Sequence, residues 1–177
     1  MDRLSPFIAA AGGRNMPVSV ADPAQPDCPL VYVNPAFEHL TGYASADILG
    51  KNCRFLQGAE TWDGSVQQIR DAIAAVEPVS TCLLNYRRDG APFHNLLFME
   101  PISFDDGSHL LMGCQHEIDS KSYSVHAHVD NLSVLRNDLQ QSWRRAMVMR
   151  DDALAMRAEV ISGLVKTYVQ SLKARPL

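Results

Sequence analysis

The sequence predicts an α+β domain with five strands, short helices between the second and third strands, and a helical segment at each end. Short apolar runs separated by turns rich in Pro, Asp and Gly indicate strands. Beyond residue 120 the apolar residues recur at intervals of three and four, which is the spacing of amphipathic helices. We therefore expect an N-terminal cap over residues 1–15, a core domain over 16–119 and a helical extension over 120–177.

The first predicted elements are a helix and a β-hairpin. Apolar residues over Leu4–Ala11 predict a short amphipathic helix that ends at Gly12-Gly13, since glycine readily takes the left-handed conformation. Val18–Ala21 and Leu30–Val33 have the composition of strands and flank a turn rich in Pro and Asp. Together these two runs predict a hairpin at the start of the core domain.

The middle of the core domain is predicted to be helical. Asn34–Leu40 and Ser45–Leu49 are short helical stretches, and Thr41-Gly42-Tyr43 interrupts them. A longer helix is predicted over Trp62–Ala75, where one face carries Val66, Ile69 and Ile73. This apolar face can line a cavity, and the head of Arg70 can reach its rim.

Three further strands are predicted after the long helix. Val79–Tyr86 and Phe93–Met99 flank the turn Arg88-Asp89-Gly90, which is a strong hairpin signal, and His109–Ile118 follows. Side chains alternate along a strand. One face therefore carries Leu83 and Asn85 on the first of these strands, and Asn95, Leu97 and Met99 on the second. These side chains predict a pocket wall of mixed amide and aliphatic character.

The run Gly50–Gln57, with sequence GKNCRFLQ, contains the best candidate for a reactive group. Cys53 is a soft nucleophile, and Arg54 offers a planar fork of donors for a phosphate. Asn52 and Gln57 can orient a polar cofactor. A cysteine in such a run is more often a small buried hydrophobe, so this stretch alone does not decide the function.

Three amides favour a bound heterocycle. Asn85, Asn95 and Gln115 are predicted on inward faces, where an amide without a partner costs about 1–3 kcal/mol. They can instead satisfy one another or the backbone. Their convergence beside a rim with two arginines, Arg54 and Arg70, favours a ligand.

A series of motifs resembles the LOV domains, which are flavin-binding blue-light sensors of the PAS superfamily. The octapeptide around Cys53 resembles their signature sequence, and further matches at family spacing extend over about a hundred residues. In chain order these are Asp22-Pro23 with Asp27-Cys28-Pro29, Asn34–Phe37, Leu40–Tyr43, Ile48–Gly50, Ile69–Ile73, Leu83–Tyr86, Phe93–Leu96 and Gly113–Gln115. With its helical segments, the whole chain is similar to bacterial short LOV proteins.

The resemblance implies a PAS/LOV fold, in which a five-stranded antiparallel sheet and short helices enclose FMN. It implies that blue light leads Cys53 to form a reversible bond to the C4a carbon of the flavin, with N5 protonated, and that Gln115 switches its hydrogen bond to N5. Arg54 and Arg70 would hold the phosphate, and Asn52 and Gln57 the ribityl chain or the ring edge. Asn85, Asn95 and Gln115 would contact the polar edge of the ring. The implied packing residues are Leu56, Val66, Ile69, Ile73, Leu83, Leu97, Met99 and Leu111.

Several residues differ from the best-known plant LOV domains. Cys28 stands where asparagine is common, and Ala21, also a cofactor contact by resemblance, stands where threonine is common. Leu97 and Leu111 stand where phenylalanine is common. Such changes bear on water access and on the lifetime of the flavin–cysteine bond more than on identity.

Composition and charge narrow the function classes. The chain has 177 residues and is 46% hydrophobic, enough for one core domain with an appendage. It has no apolar run that would span a bilayer and no leader pattern, which predicts a cytoplasmic protein. The four cysteines have neither CxxC nor metal-site spacing, so we expect no disulfide and no metal.

The charge changes sign near Ser120. Residues 1–119 carry 7 Lys and Arg against 15 Asp and Glu, whereas residues 120–177 carry 9 against 5. Arg144, Arg145 and Arg150 leave open a second hypothesis, contact with DNA or with a DNA-bound repressor. We favour a solvated helical face, or attraction to an acidic domain, over nucleic-acid binding.

The extension is the predicted output. Its apolar stripe needs a partner surface, which favours a homodimer through the N- and C-terminal helices, or a separate protein effector. One long helix and a helical hairpin both fit the pattern. No kinase or cyclase region follows, so the chain is predicted to be a sensor and not an enzyme. A flavin redox sensor and phosphate transfer to His128 from a separate kinase are further hypotheses that the sequence leaves open.

Overall fold

The computed structural model describes residues 16–104 and 106–120. The helices predicted for the cap and the extension, with Arg144, Arg145, Arg150 and His128, lie outside these residues. Residues 14–117 belong to one compact unit. Within the described part of the chain, no helix is long and apolar enough to cross a membrane.

Five strands form one antiparallel sheet, which confirms the predicted fold class. The strands are β1 Val18–Ala21, β2 Leu30–Val33, β3 Val79–Tyr86, β4 Pro92–Ser103 and β5 His109–Ile118. Their spatial order is β2-β1-β5-β4-β3, so the first and last strands of the core are neighbours. Strand β4, predicted to end at Met99, continues to Ser103.

The strand register puts the predicted wall residues on one face. Leu83 on β3 is opposite Asn95 on β4, and Val79 is opposite Met99. In the part of the sheet formed by β1 and β5, Ser19 on β1 is opposite Gly113 on β5. Ser19, Leu83, Asn95 and Gly113 line one cavity, so these four strands present them on the same face of the sheet.

Four helical segments connect β2 to β3. They are α1 Pro35–Thr41, α2 Ser45–Ile48, a 3₁₀ helix Cys53–Leu56 and α3 Asp63–Ala75. Helix α1 begins with a proline and ends at Gly42, whose φ of 74° is the left-handed conformation that glycine adopts most readily. The 3₁₀ helix was not predicted, because a single turn has no apolar periodicity to indicate it.

Asn34 connects β1, β2 and α1. Its Oδ1 accepts from the backbone N–H groups of Val18, at 2.9 Å, and Phe37, at 3.0 Å, and its Nδ2 donates to the carbonyl of Met16 at 2.8 Å. The side chain is fully buried. It therefore caps α1 while it holds the chain just before and at the start of β1.

Helix α3 is held on β3 by hydroxyl groups. Ser65 in the helix donates to the carbonyl of Cys82 at 2.7 Å, and Thr61, two residues before the helix, donates to that of Leu84 at 2.6 Å. The hydroxyl of Thr81 donates to Gln68 Oε1 at 2.8 Å. These bonds hold the helix at a fixed position over the sheet.

The short helices pack around a separate apolar cluster made of Leu30, Val33, Phe37, Ile48 and Leu56. Cys53 packs against this cluster from the 3₁₀ helix. The start of the 3₁₀ helix thus lies between a closed core and the inner face of the sheet.

Candidate functional site

A cavity of about 120 Å³ lies between the inner face of the sheet and the helical segments. A single buried water needs a cavity of about 10–15 Å³, so this cavity is far larger than a water site. Its wall contains most of the predicted cofactor residues, namely Ala21, Asn52, Cys53, Arg54, Gln57, Ile69, Ile73, Leu83, Asn85, Asn95, Leu97, Met99, Leu111 and Gln115.

Cys53 is the first residue of the 3₁₀ helix, and Asn52 caps that helix. The Asn52 Oδ1 accepts from the backbone N–H of Arg54 at 2.9 Å, while its Nδ2 donates to the carbonyl of Asp27 at 2.6 Å. Cys53 is half-buried as a residue. Burial of its thiol, with a smaller contribution from Cys28, raises the pKa of Cys53 to about 12. The thiol is therefore protonated at neutral pH and keeps its proton until a reaction removes it.

The buried amides form two pairs in the wall. Asn95 Nδ2 donates to Asn85 Oδ1 at 2.9 Å, and Gln115 Nε2 donates to the hydroxyl of Ser19 at 2.9 Å. The other oxygens, Asn95 Oδ1 and Gln115 Oε1, are buried without a hydrogen-bond partner. The amides thus satisfy one another only in part, and each remaining oxygen would be stabilised by a donor on a ligand.

Aliphatic side chains provide the rest of the wall. Leu83, Met99 and Leu111 are buried on the sheet, and Ile69 and Ile73 face them from α3. A flat aromatic ring fits between two apolar layers, with its polar edge toward the amides. The residues present therefore fit a flavin, whose ring carries both donors and acceptors.

Arg54 lies at the mouth of the cavity and forms an ion pair with Asp27, whose Oδ1 is 2.5 Å from Arg54 Nη1. Both side chains are more than half exposed. Arg70 is exposed on α3 and is not among the residues that line the cavity. Only one of the two predicted phosphate ligands therefore lies in the wall.

Two predicted packing residues also lie outside the wall. Leu56 belongs to the apolar cluster between the short helices, because the 3₁₀ turn directs it there. Val66 is half-buried on α3 but is not in the lining. For Val66 the apolar spacing indicated a buried position without distinguishing one apolar surface from another, and Leu56 was expected in the wall from the resemblance alone.

Three residues in the wall were not predicted from the sequence: Ser19, Leu30 and Gly113. Cys28, which the sequence comparison with plant LOV domains indicated near the ring, also lies in the wall. Ser19 lies two residues from Ala21 on β1, and Gly113 lies two residues from Gln115 on β5. The alternation of side chains along a strand could have indicated both.

The remaining cysteines are outside the cavity wall. Cys82 and Cys114 are buried, and all four cysteines are free thiols. Burial raises the pKa of Cys82 to about 12, and burial together with the nearby Glu100 raises the pKa of Cys114 to about 12. Among the described residues, Cys53 and Cys28 are thus the two thiols that a ligand in the cavity would meet.

The sequence profile of the PAS domain family matches residues 18–119, which include every strand of the sheet and the whole wall of the cavity. The LOV domain of a blue-light activated histidine kinase from Erythrobacter litoralis is 40% identical, with a TM-score of 0.57, and the match covers 59% of this chain and 97% of that domain. The chain belongs to the LOV family of PAS domains.

Two further LOV comparisons agree. The light-state structure of the Aureochrome1 LOV domain is 36% identical with a TM-score of 0.63, and the match covers 72% of this chain and 98% of that one. Blue-light-activated histidine kinase 1 of Erythrobacter litoralis strain HTCC2594 is 48% identical over 102 residues. That match covers 58% of this chain but only 28% of the kinase. The predicted LOV resemblance is confirmed for the domain that the relatives share, and LOV domains bind a flavin chromophore.

Proposed function

We propose that this LOV domain is a blue-light photoreceptor that binds FMN and uses Cys53 as the reacting thiol. The observation that carries the proposal is the position of the Cys53 thiol in the wall of the cavity that also contains the partnerless amide oxygens of Asn95 and Gln115. The relatives are named as blue-light-activated proteins, and they match over this same domain.

Bound FMN would supply the absorption of blue light and an electrophilic ring carbon. Cys53 would supply both the sulfur and the proton of its Sγ–H bond to the bound ring, because its thiol lies in the cavity wall. The bond to the ring would be reversible, so no substrate would be consumed. The raised pKa of Cys53 fits this reaction, because the thiol brings its own proton.

Gln115 would report the change. A ring nitrogen that accepted a hydrogen bond in darkness becomes a donor after the proton arrives, so the amide of Gln115 gains by rotating its oxygen toward it. Since Gln115 is in β5, which leads out of the core domain, the rotation can reach residues 120–177.

FMN would enter with its phosphate toward the mouth of the cavity. Arg54 is placed to meet the phosphate there, in exchange for or alongside Asp27. Arg70 lies one residue after the wall residue Ile69 and reaches the phosphate only from the exposed side of α3. The amides of Asn52 and Gln57 would meet the ribityl chain.

We further propose that the protein acts as a homodimer in which residues 1–15 and 120–177, predicted from the sequence to be helical, pass the signal on to a second copy or to an effector. In this proposal the domain acts as a sensor without catalysis of its own. The reducing cytosol is the compartment that would keep Cys53 as a thiol. Light scattering on the purified chain, before and after blue light, should show two chains per particle in at least one state.

The test of the photoreceptor is an absorption spectrum in darkness and after a blue pulse. The wild type should contain FMN and lose its visible flavin band reversibly, whereas Cys53→Ala should keep FMN and show no loss. Cys28→Ser is a matched control, because Cys28 lines the same cavity. Bleaching retained in Cys53→Ala, or abolished in Cys28→Ser alone, would exclude Cys53 as the reacting thiol.

A further inference from the structure

Ser19 and Gln115 form a hydrogen bond inside the cavity wall that joins β1 to β5. Gln115 Nε2 donates to Ser19 Oγ at 2.9 Å, and both side chains are buried, at 5% exposure for Ser19 and 3% for Gln115. The motifs that carry the LOV resemblance do not include Ser19. Its hydroxyl nevertheless contacts the side chain that is proposed to report the reaction.

Gly113 leaves the space for this contact. It is opposite Ser19 in the strand register and two residues before Gln115 on the same face of β5. A Cβ atom on Gly113 would lie 2.8 Å from Gln115 Nε2 and 2.9 Å from Ser19 Oγ. Any other residue would therefore displace the amide of Gln115, the hydroxyl of Ser19 or both.

Gln115 is fixed at one end and adjustable at the other. Its backbone N–H donates to the carbonyl of Pro17 at 3.0 Å, which holds the main chain beside the start of β1. Its Oε1 is buried without a hydrogen-bond partner. A change at the cavity can therefore turn the amide while the strand stays in place.

A hydroxyl can accept a hydrogen bond from an amide nitrogen or donate one to an amide oxygen. Ser19 can therefore keep a hydrogen bond to Gln115 in both orientations of the amide. An aliphatic residue at position 19 would offer neither bond, and the amide would then be oriented by the ligand alone.

We propose that Ser19 is a positioning residue that holds the Gln115 amide in darkness and remains its partner after the amide turns. This inference rests on the proposed function, in which Gln115 responds to the reaction of Cys53. It gives the signal a second route, through β1, because Ser19 is bonded across the sheet to the strand that carries Gln115.

Three variants test the proposal. Ser19→Ala removes the hydroxyl, Ser19→Val removes it while filling the space, and Ser19→Thr keeps it as a rescue. The first readout is the rate of hydrogen exchange at the side-chain NH₂ group of Gln115, measured by NMR in darkness. The NMR signal of this group is assigned by its disappearance in Gln115→Leu. We expect exchange at least tenfold faster in Ser19→Ala and Ser19→Val, and within threefold of wild type in Ser19→Thr. The backbone N–H of Met112 on β5 serves as the internal control for general loosening.

The second readout is thermal recovery after a blue pulse. Ser19→Ala and Ser19→Val should change the recovery rate at least threefold, and Ser19→Thr less than twofold. Unchanged exchange, exchange that rises only in parallel with Met112, or recovery within twofold in both aliphatic variants would overturn the role of Ser19. A wild type that binds flavin but never bleaches would instead refute the proposed photochemistry, and the dark exchange rates would still decide whether Ser19 holds Gln115.

Discussion

Arg54 and Asp27 form an ion pair at the mouth of the cavity, with Nη1 and Oδ1 2.5 Å apart. The pair sets the charge that an incoming phosphate meets, since the carboxylate competes with the phosphate for the guanidinium. Asn52 holds the same turn through the carbonyl of Asp27. Among the described residues Arg54 is the only arginine in the wall, and the carboxylate of Asp27 partly neutralises its charge at the entrance.

Arg54→Gln should reduce the preference for FMN over riboflavin about ten- to a hundredfold, because a charge-assisted bond to phosphate contributes about 1.5–3 kcal/mol. Asp27→Asn should raise that preference by up to about fivefold, since an exposed pair contributes about 0.2–1 kcal/mol. Fluorescence titration of each flavin-free variant with FMN and with riboflavin measures the two affinities and hence the preference. Equal losses for FMN and riboflavin in Arg54→Gln would place the phosphate elsewhere.

The light reaction should be nearly independent of pH between about 6 and 9. Burial first, and the neighbouring Cys28 second, raise the pKa of Cys53 from 9.0 to about 12, so the thiol stays protonated over this range. Initial bleaching rates should stay within twofold. A rate that rises tenfold per pH unit would show that the thiolate reacts and would contradict a thiol that brings its own proton.

Alkaline pH should destabilise the fold. The pKa values of the buried thiols of Cys53, Cys82 and Cys114 are each raised to about 12 from 9.0, so the folded state holds these protons more tightly than the unfolded chain does. Their stabilising effect is complete below about pH 9 and is lost as the pH rises toward 12. The urea concentration at the unfolding midpoint should decrease as the pH is raised from 8 to 10. The decrease over the same pH range should be smaller in Cys82→Ala, which lacks one of the three thiols. A midpoint that stays constant over this range would contradict the raised values.

Asn95→Ala should weaken flavin binding about five- to a hundredfold, because it removes an amide from the wall and leaves Asn85 Oδ1 without its donor. Gln67→Ala is the matched control, since Gln67 is an exposed amide on α3 that bonds only to Asp71 among the contacts described. Titration with FMN measures the difference. Unchanged affinity in Asn95→Ala would mean that the amide pair serves the protein alone.

Asn34→Ala should lower the free energy of unfolding by about 1–3 kcal/mol, because it removes the buried side-chain acceptor of Val18 N–H. It also removes one of the two acceptors of Phe37 N–H, which keeps its bond to the carbonyl of residue 34. Urea denaturation, followed by circular dichroism, measures the loss. Gln25→Ala is the control, because among the described residues this exposed amide bonds only to Asp22 in its own turn. A loss below about 1 kcal/mol would show that Asn34 is replaceable.

The sequence predicted the strands well where composition and alternation agree, as for Val79–Tyr86, and it predicted the inward face that carries Asn85 and Asn95. It did not predict that Leu56 turns into the helical cluster, because a single 3₁₀ turn leaves no periodic signal. The pairing of Arg54 with Asp27 and of Gln115 with Ser19 joins residues 27 and 96 positions apart. Such contacts depend on strand order, which local patterns do not specify.

The order of the strands also determines where the core domain can be joined to other chains. Val18 is opposite Cys114, and Gln115 N–H bonds to the carbonyl of Pro17, so the chain enters and leaves the sheet at one place. Residues 16–118 could be inserted into an exposed loop of a host protein. The two points at which the host chain is joined would then be no farther apart than two paired strands. The same closeness makes the core a candidate for circular permutation, with new ends in the turn at Asp89-Gly90.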